Sequence, residues 1–147
     1  MALFIKKPAG FEPSFEAVGC YIQRGDHFLY LHKRLDHRLY PNQWGIPAGK
    51  VEKGEDISMA IQREVEEETG IILPDAIMFK SLGPVYVTHP VGAFVYHVYY
   101  AAVEMSCGVI IDPEEHCEYA WLTLPEIMEK DLIQDEKENF RHFATAF

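Results

Sequence analysis

The sequence predicts an α+β sandwich, and three observations point to it. Two strand-like segments near the N-terminus are joined by a Gly-Asp turn. A helix with its own cap and stop residues stands in the middle of the chain. Two segments rich in Val, Phe and Tyr are followed by apolar residues at helical spacing. Strands and helices in this mixed order suggest one α+β unit. A chain of 147 residues fits one domain, and no repeat, low-complexity tract or linker divides residues 1–147.

The elements follow in chain order. Phe15–Arg24 alternates loosely around Val18, Tyr21 and Ile22, Gly25-Asp26 marks a turn, and His27–Lys33 reads as the second strand of a hairpin. Asp36–Trp44 holds Pro41, Asn42 and a polar run, so it reads as a loop. Trp44–Pro47 is a short apolar piece leading into a glycine-containing loop, Ala48–Glu55. Asp56 or Ser58 can cap a helix that runs to Thr69, with Gly70 as its stop. Ala76–Val87 and Gly92–Glu104 read as strands with a turn around His89-Pro90. The second is too apolar on both faces for a sheet edge. Glu118–Leu122 reads as a last short strand. Leu124–Lys130 and Asp135–Phe147 read as helices, the latter with Phe140, Phe143 and Phe147 at helical spacing.

Composition narrows the function. The formal net charge of −10 repels a phosphate backbone and argues against a nucleic-acid polymer as partner. It does not exclude nucleotides, because a carboxylate cluster can recruit a divalent cation that carries their phosphates. No segment is long and apolar enough to span a bilayer, and the N-terminal apolar stretch is too short for a signal peptide. The 3 cysteines, Cys20, Cys107 and Cys117, follow neither a disulfide framework nor a zinc pattern. Reduced thiols and a cytoplasmic location are expected. The 7 histidines show no zinc-like spacing; His116, beside Glu115, is the one of most interest.

The informative stretch is GKVEKGEDISMAIQREVEEETGI, Gly49 to Ile71. At about 100° per residue, Ile57, Ile61 and Val65 form the apolar stripe of the helix. Glu68 falls inside that stripe, Glu64 on its edge and Glu67 further round on the Glu64 side, while Glu66 points away with Arg63 and Met59. An acidic run is ordinarily a solvated face. Here two carboxylates face the buried side, where like charges repel and burial is costly. A hard divalent cation between them would remove that cost, and magnesium typically bridges a few carboxylates to substrate phosphates. Arg63 is four residues before Glu67 and can hold it. Glycines at 49 and 54 let backbone approach a ligand. Glu55, at the helix entrance, suits the helix dipole in any case.

This segment resembles the Nudix box, with Gly49, Glu55, Arg63, Glu64, Val65, Glu67, Glu68, Gly70 and Ile71 at its fixed positions. The preceding WGIPAGK is similar to the family's approach to the box, with Ala48 where a glycine is common. The resemblance implies the Nudix fold, a mixed β-sheet in an α/β/α sandwich. It also implies Mg2+ or Mn2+ and hydrolysis of a nucleoside diphosphate linked to another group. By position, Glu64, Glu67 and Glu68 would be metal ligands, with the carbonyl of Gly49 or Ala48 completing the shell. Arg63 would orient the glutamates, and Glu55 would support the loop or touch a metal through water. The general base varies in this family: Glu64 is the first choice, and Glu115 and Glu118 in DPEEHCEYAWL are the others.

Substrate contacts are less legible. Arg34, just after the second strand, is placed where many relatives contact phosphate. Trp44 can stack on a base, although packing is its more ordinary role. Tyr86 lies close to the spacing typical of dinucleoside tetraphosphate enzymes. The expected ligand is a small nucleotide, a nucleoside triphosphate or a dinucleoside polyphosphate. The other reading is a non-catalytic Nudix domain that senses a nucleotide, which would be expected to lose box glutamates. Family members are often dimers, which leaves a homodimer open; no residue here identifies an interface.

Overall fold

A computed structural model describes residues 2–90 and 92–147. Strand β1 (Ala2–Phe4) is followed by β2 (Phe15–Arg24) and β3 (His27–Lys33), the hairpin expected around Gly25. Two short strands, β4 (Trp44–Gly45) and β5 (Ala48–Lys50), lead to helix α1 (Ile57–Thr69). The long strands β6 (Met78–Thr88) and β7 (Phe94–Ala102) come next. Strand β8 (His116–Leu122) and helices α2 (Leu124–Glu129) and α3 (Glu136–Phe143) follow.

The strands join in one mixed sheet of order β1-β6-β7-β2-β3-β4, with β5 paired to β2 and β8 to β3. Strand β7 runs antiparallel to β6 and parallel to β2, with Phe15 opposite Phe94 and Gln23 opposite Ala102. Its two-sided apolar sequence therefore belongs to a central strand.

Alternation along β2 and β3 divides the core. Val18, Cys20 and Ile22, with Leu29 and Leu31, face α1 and meet Ile61 and Val65. Tyr21, Phe28 and Tyr30 face the other way, toward Phe140 and Phe143 of α3. Burying an Ile61 or Val65 side chain contributes about 1.5–3 kcal/mol. The result is the α/β/α sandwich that the resemblance implies.

Helix α1 has the expected ends. The Asp56 carboxylate accepts from the Ser58 N–H at 2.9 Å, and Gly70 takes the left-handed conformation, φ 74°. Strand β1 lies outside the sequence expectations. Three residues carry no periodicity, and they become a strand only by pairing with β6, Leu3 against Val87. The C-terminal helix is shorter than its spacing suggests. It stops at Phe143, and a 3₁₀ turn at Ala144–Ala146 brings Phe147 back onto Tyr100, with ring centroids 5.3 Å apart. No helix among the described residues is long and apolar enough to cross a membrane.

Candidate active site

Strand β5 and helix α1 place the box. The Ala48 N–H at the start of β5 donates to Oε1 of Glu68, at 2.9 Å. Glu68 is 6% exposed, and burial pushes its carboxyl up to about 8, against the opposing pull of Lys33 and the Ala48 N–H. Glu64 lies against Gly49, so closely that a Cβ there would collide with its carboxylate. Burial raises the Glu64 carboxyl too, with Arg63 opposing. Glu67 is largely exposed.

Arg63 ties these groups together. Its Nε and Nη2 donate to the two Glu55 oxygens at 2.7 and 2.9 Å, its Nη1 to Glu64 at 2.9 Å and to Glu67 at 3.3 Å, and Nη2 also to the Lys50 carbonyl at 3.1 Å. Glu55 also accepts from the Glu52 N–H at 3.0 Å. Arg63 holds the Glu55 carboxyl down at about 2. The helical wheel sends Arg63 outward with Glu66. Its long side chain instead lies back along the helix, so its principal partner is Glu55, with Glu67 a more distant one.

Gly49, Glu64, Glu67 and Glu68 all line one cavity of about 530 Å³. Among the described residues no three carboxylate, thiol or imidazole side chains converge as a ready metal cluster. Glu64 and Glu67 are drawn to Arg63, and Glu68 to Ala48. The donor set still fits a hard cation. It is all oxygen, two of its three carboxylates carry a burial cost that positive charge would relieve, and glycine at 49 leaves a cradle that a side chain would fill.

The other candidates divide. Glu115 lines the cavity; Arg34, Trp44, Tyr86 and Glu118 do not. Strand β3 ends at Lys33, and it is Lys33 that faces the cavity; Arg34 is turned to Asp36 at 2.9 Å and the Pro113 carbonyl at 2.8 Å. Trp44 is buried between the His32 ring, stacked at 4.4 Å, and the Lys130 ammonium at 4.6 Å. Tyr86 falls between buried Val85 and Val87, so the strand's alternation turns it to the opposite face, where it meets Phe11 edge-on at 5.4 Å. Glu118 pairs with His32 at 3.0 Å on the outside of β8. His116 is 1% exposed and is no part of the cavity; burial pushes its imidazole down to about 3.

Several further residues line the cavity, Phe94 and Tyr96 among them as two of the strand aromatics that the sequence offers for a base pocket. Lys33, Arg38 and Lys50 add positive charge, and Asp112 adds a carboxylate beside Glu115. Phe94, Tyr96 and Tyr40 supply aromatic walls. Tyr96 lies across Gly19, where any Cβ would strike its hydroxyl. Glu136 and Asn139 reach the same cavity from α3. Their positions depend on which strands pair and on how α3 docks, which no local pattern records.

Comparison with known proteins agrees with this geometry. The NUDIX domain family matches residues 13–143. The "Nucleoside triphosphatase NudI" of Salmonella agona is 31% identical over 123 residues, covering 78% of this chain and 86% of that protein. The "8-oxo-(d)GTP phosphatase" of Mycolicibacterium smegmatis is 30% identical over 108 residues, 74% of this chain but only 32% of that longer protein. A MutT protein from Methanosarcina mazei Go1 superposes with a TM-score of 0.78 at 26% identity, over 92% of this chain and 96% of its own. With the box on α1, the mixed sheet between helices and a family match over most of its length, the chain belongs to the NUDIX family as a MutT-like Nudix hydrolase.

Proposed function

We propose that this chain is a Mg2+-dependent pyrophosphohydrolase. It cleaves a phosphoanhydride bond in a nucleoside diphosphate linked to another group, a nucleoside triphosphate or a dinucleoside polyphosphate. The observation that carries this reading is one cavity lined both by the box glutamates and by an aromatic and aliphatic chamber. Such a cavity suits a ligand with an anionic and a planar apolar half. The triphosphatase and phosphatase names of its relatives support the same substrate class.

Glu64, Glu67 and Glu68 would hold the cation, which supplies positive charge against the diphosphate oxygens and makes nearby water more acidic. Lys33, Arg38 and Lys50 add fixed positive charge along the cavity for the phosphates. Arg63, through Glu55 and Glu64, keeps the glutamates in position. The sequence places Glu64 first as general base. We assign that role instead to Glu115, a reading supported by two observations: Glu64 already accepts from Arg63 and would be engaged by the cation, while Glu115 lines the cavity outside the Arg63 network. Glu115 takes a proton from water as the water oxygen bonds to phosphorus. The bridging P–O bond breaks, and its electron pair leaves with the departing phosphate.

The test is release of phosphate or pyrophosphate from a panel of nucleoside triphosphates, diadenosine tetraphosphate, ADP-ribose and nucleotide sugars, with Mg2+, Mn2+ or EDTA. Turnover of a triphosphate or dinucleoside polyphosphate that is lost in EDTA is expected. Nucleotide binding without any turnover would replace the hydrolase reading with that of a sensing domain.

A further inference from the structure

Tyr96 carries more than a cavity wall requires. Phe94 supplies apolar ring surface two residues earlier on β7, and the two rings meet edge-on at 6.3 Å. A phenylalanine at 96 would serve that purpose as well. The hydroxyl is therefore the group to account for. Among the described residues it has no hydrogen-bond partner. The buried hydroxyls of Tyr21 and Tyr30, by contrast, both reach Glu136. Tyr96 is only partly buried and lines the cavity.

The backbone makes room for that hydroxyl. Tyr96 pairs with Ala17 on the neighbouring strand β2, yet its ring leans along β2 to Gly19, the next residue on the same face. A Cβ at 19 would strike the hydroxyl and the ring carbons behind it. Gly19 has no positive φ, so glycine is not needed there for conformation. A glycine inside a strand weakens it and marks close approach by another group. Gly19 in turn pairs with Ala48, whose N–H holds Glu68, and Val18 pairs with Gly49, against which Glu64 lies. The hydroxyl therefore stands at the border between the glutamate end of the cavity and its aromatic chamber. Burial, with Glu136 and Glu68 among the charges nearby, pushes the Tyr96 phenol up, so it keeps its proton as a donor.

A nucleotide with its phosphates at the glutamates and its base in the chamber carries its sugar and first phosphate across this border. Resting on the reading of the cavity as a nucleotide site, we propose that the Tyr96 hydroxyl donates to a non-bridging oxygen of the phosphate nearest the sugar, and that Gly19 is the space that lets it do so. An anionic oxygen accepts more strongly than a sugar hydroxyl, and a phenol that keeps its proton is matched to it. The contact fixes the nucleoside end of the ligand against β2 and β7 while the box glutamates hold the other end against α1.

The experiment is NMR titration of the full chain with AMP, GMP, adenosine and guanosine in the presence of Mg2+, for wild type, Tyr96→Phe and Gly19→Ala. Tyr96→Phe keeps the ring, which separates the hydroxyl from packing. It is expected to weaken AMP and GMP about 10- to 100-fold, the range for a hydrogen bond to a charged group, and to leave adenosine and guanosine within about threefold. Gly19→Ala should lower the same preference for nucleotide over nucleoside, with folding checked by circular dichroism. The two substitutions together should lower it no further than the larger single effect. Equal weakening of nucleoside and nucleotide, or unchanged nucleotide affinity in Tyr96→Phe, overturns the proposal. Weakened nucleotide binding in Tyr96→Phe, with no nucleotide turned over by wild type, overturns the hydrolase reading and leaves this contact standing. Turnover by wild type with unchanged nucleotide affinity in Tyr96→Phe does the reverse. Failure of wild type to bind any of the four overturns both.

Discussion

Arg63 grips Glu55 through two nearly equal hydrogen bonds, Nε to Oε2 at 2.7 Å and Nη2 to Oε1 at 2.9 Å. The pair joins the loop before α1 to the helix itself, and the same guanidinium reaches Glu64 and Glu67. A planar fork makes this possible, and an ammonium cannot reproduce it. Arg63→Lys should therefore lower kcat by about 10- to 100-fold, the usual cost of losing a group that orients ligands. Thermal melting should move little, since the residue is not in the core. An unchanged kcat in Arg63→Lys would remove the positioning role.

Glu64→Gln and Glu68→Gln should each lose most turnover while keeping the fold. In metal-free buffer the Glu68→Gln variant should melt a few degrees higher than wild type, about 2–4 °C for each kcal/mol recovered. The gain comes from replacing a buried carboxylate with a neutral amide that still accepts from the Ala48 N–H. Added Mg2+ should stabilise wild type more than the variant. Near-wild-type turnover in either variant would sink the ligand assignment.

Gly49→Ala tests the cradle. A Cβ would collide with the Glu64 carboxylate, so that side chain or β5 must shift. A displacement of order 1 Å at such a site costs about 100-fold in rate. Steady-state kinetics should show that loss with secondary structure retained.

Lys33→Ala and Arg34→Ala separate neighbours in sequence that the fold sends apart. Lys33 lines the cavity; Arg34 is held by Asp36 and the Pro113 carbonyl outside it. Loss of Lys33 should raise KM for nucleotide about 10-fold or more, as expected for a charge-assisted contact. Loss of Arg34 should leave kcat and KM within about threefold, in line with a solvent-exposed ion pair. The opposite ranking would restore Arg34 as the phosphate contact.

Glu136 makes the stability depend on pH. Its carboxyl is raised from 4.5 to about 7, first by burial, with the hydrogen bonds from Tyr30 and Tyr21 opposing. The folded state therefore holds the proton more tightly than the unfolded one. Its contribution is fully present below pH 4.5 and is lost as pH rises through 7. At 1.36 kcal/mol per unit this amounts to about 3 kcal/mol. Denaturant melts of wild type and Glu136→Gln across that window should diverge as pH rises, with the variant gaining. Parallel curves would show that the buried carboxyl does not titrate there.

Local signals made much of the fold legible. Alternation in Phe15–Arg24 and His27–Lys33 marks two strands, and the two-sided apolar run around Tyr96–Tyr100 marks a central one. Asp56 and Gly70 bound α1, because a cap and a left-handed stop are chemical requirements of single positions. The inward turn of Glu68 was legible too, since a helical wheel needs only residue spacing. Strand β1 was not, because three residues acquire their conformation from β6.

The amino-acid sequence alone determined the family, the box and the face of α1 that carries its glutamates. Each of these depends on spacing along one continuous segment. Tertiary structure decided what surrounds them. It sent Trp44 into a stack with His32 and Tyr86 to the opposite face of β6. It chose Lys33 over Arg34 and Glu115 over Glu118 as cavity residues. It also brought Glu136 and Asn139 from the far end of the chain into the cavity that holds Glu64. The physical reason is that a strand's register sets which face each side chain takes, and register and helix docking follow from contacts between segments distant in sequence.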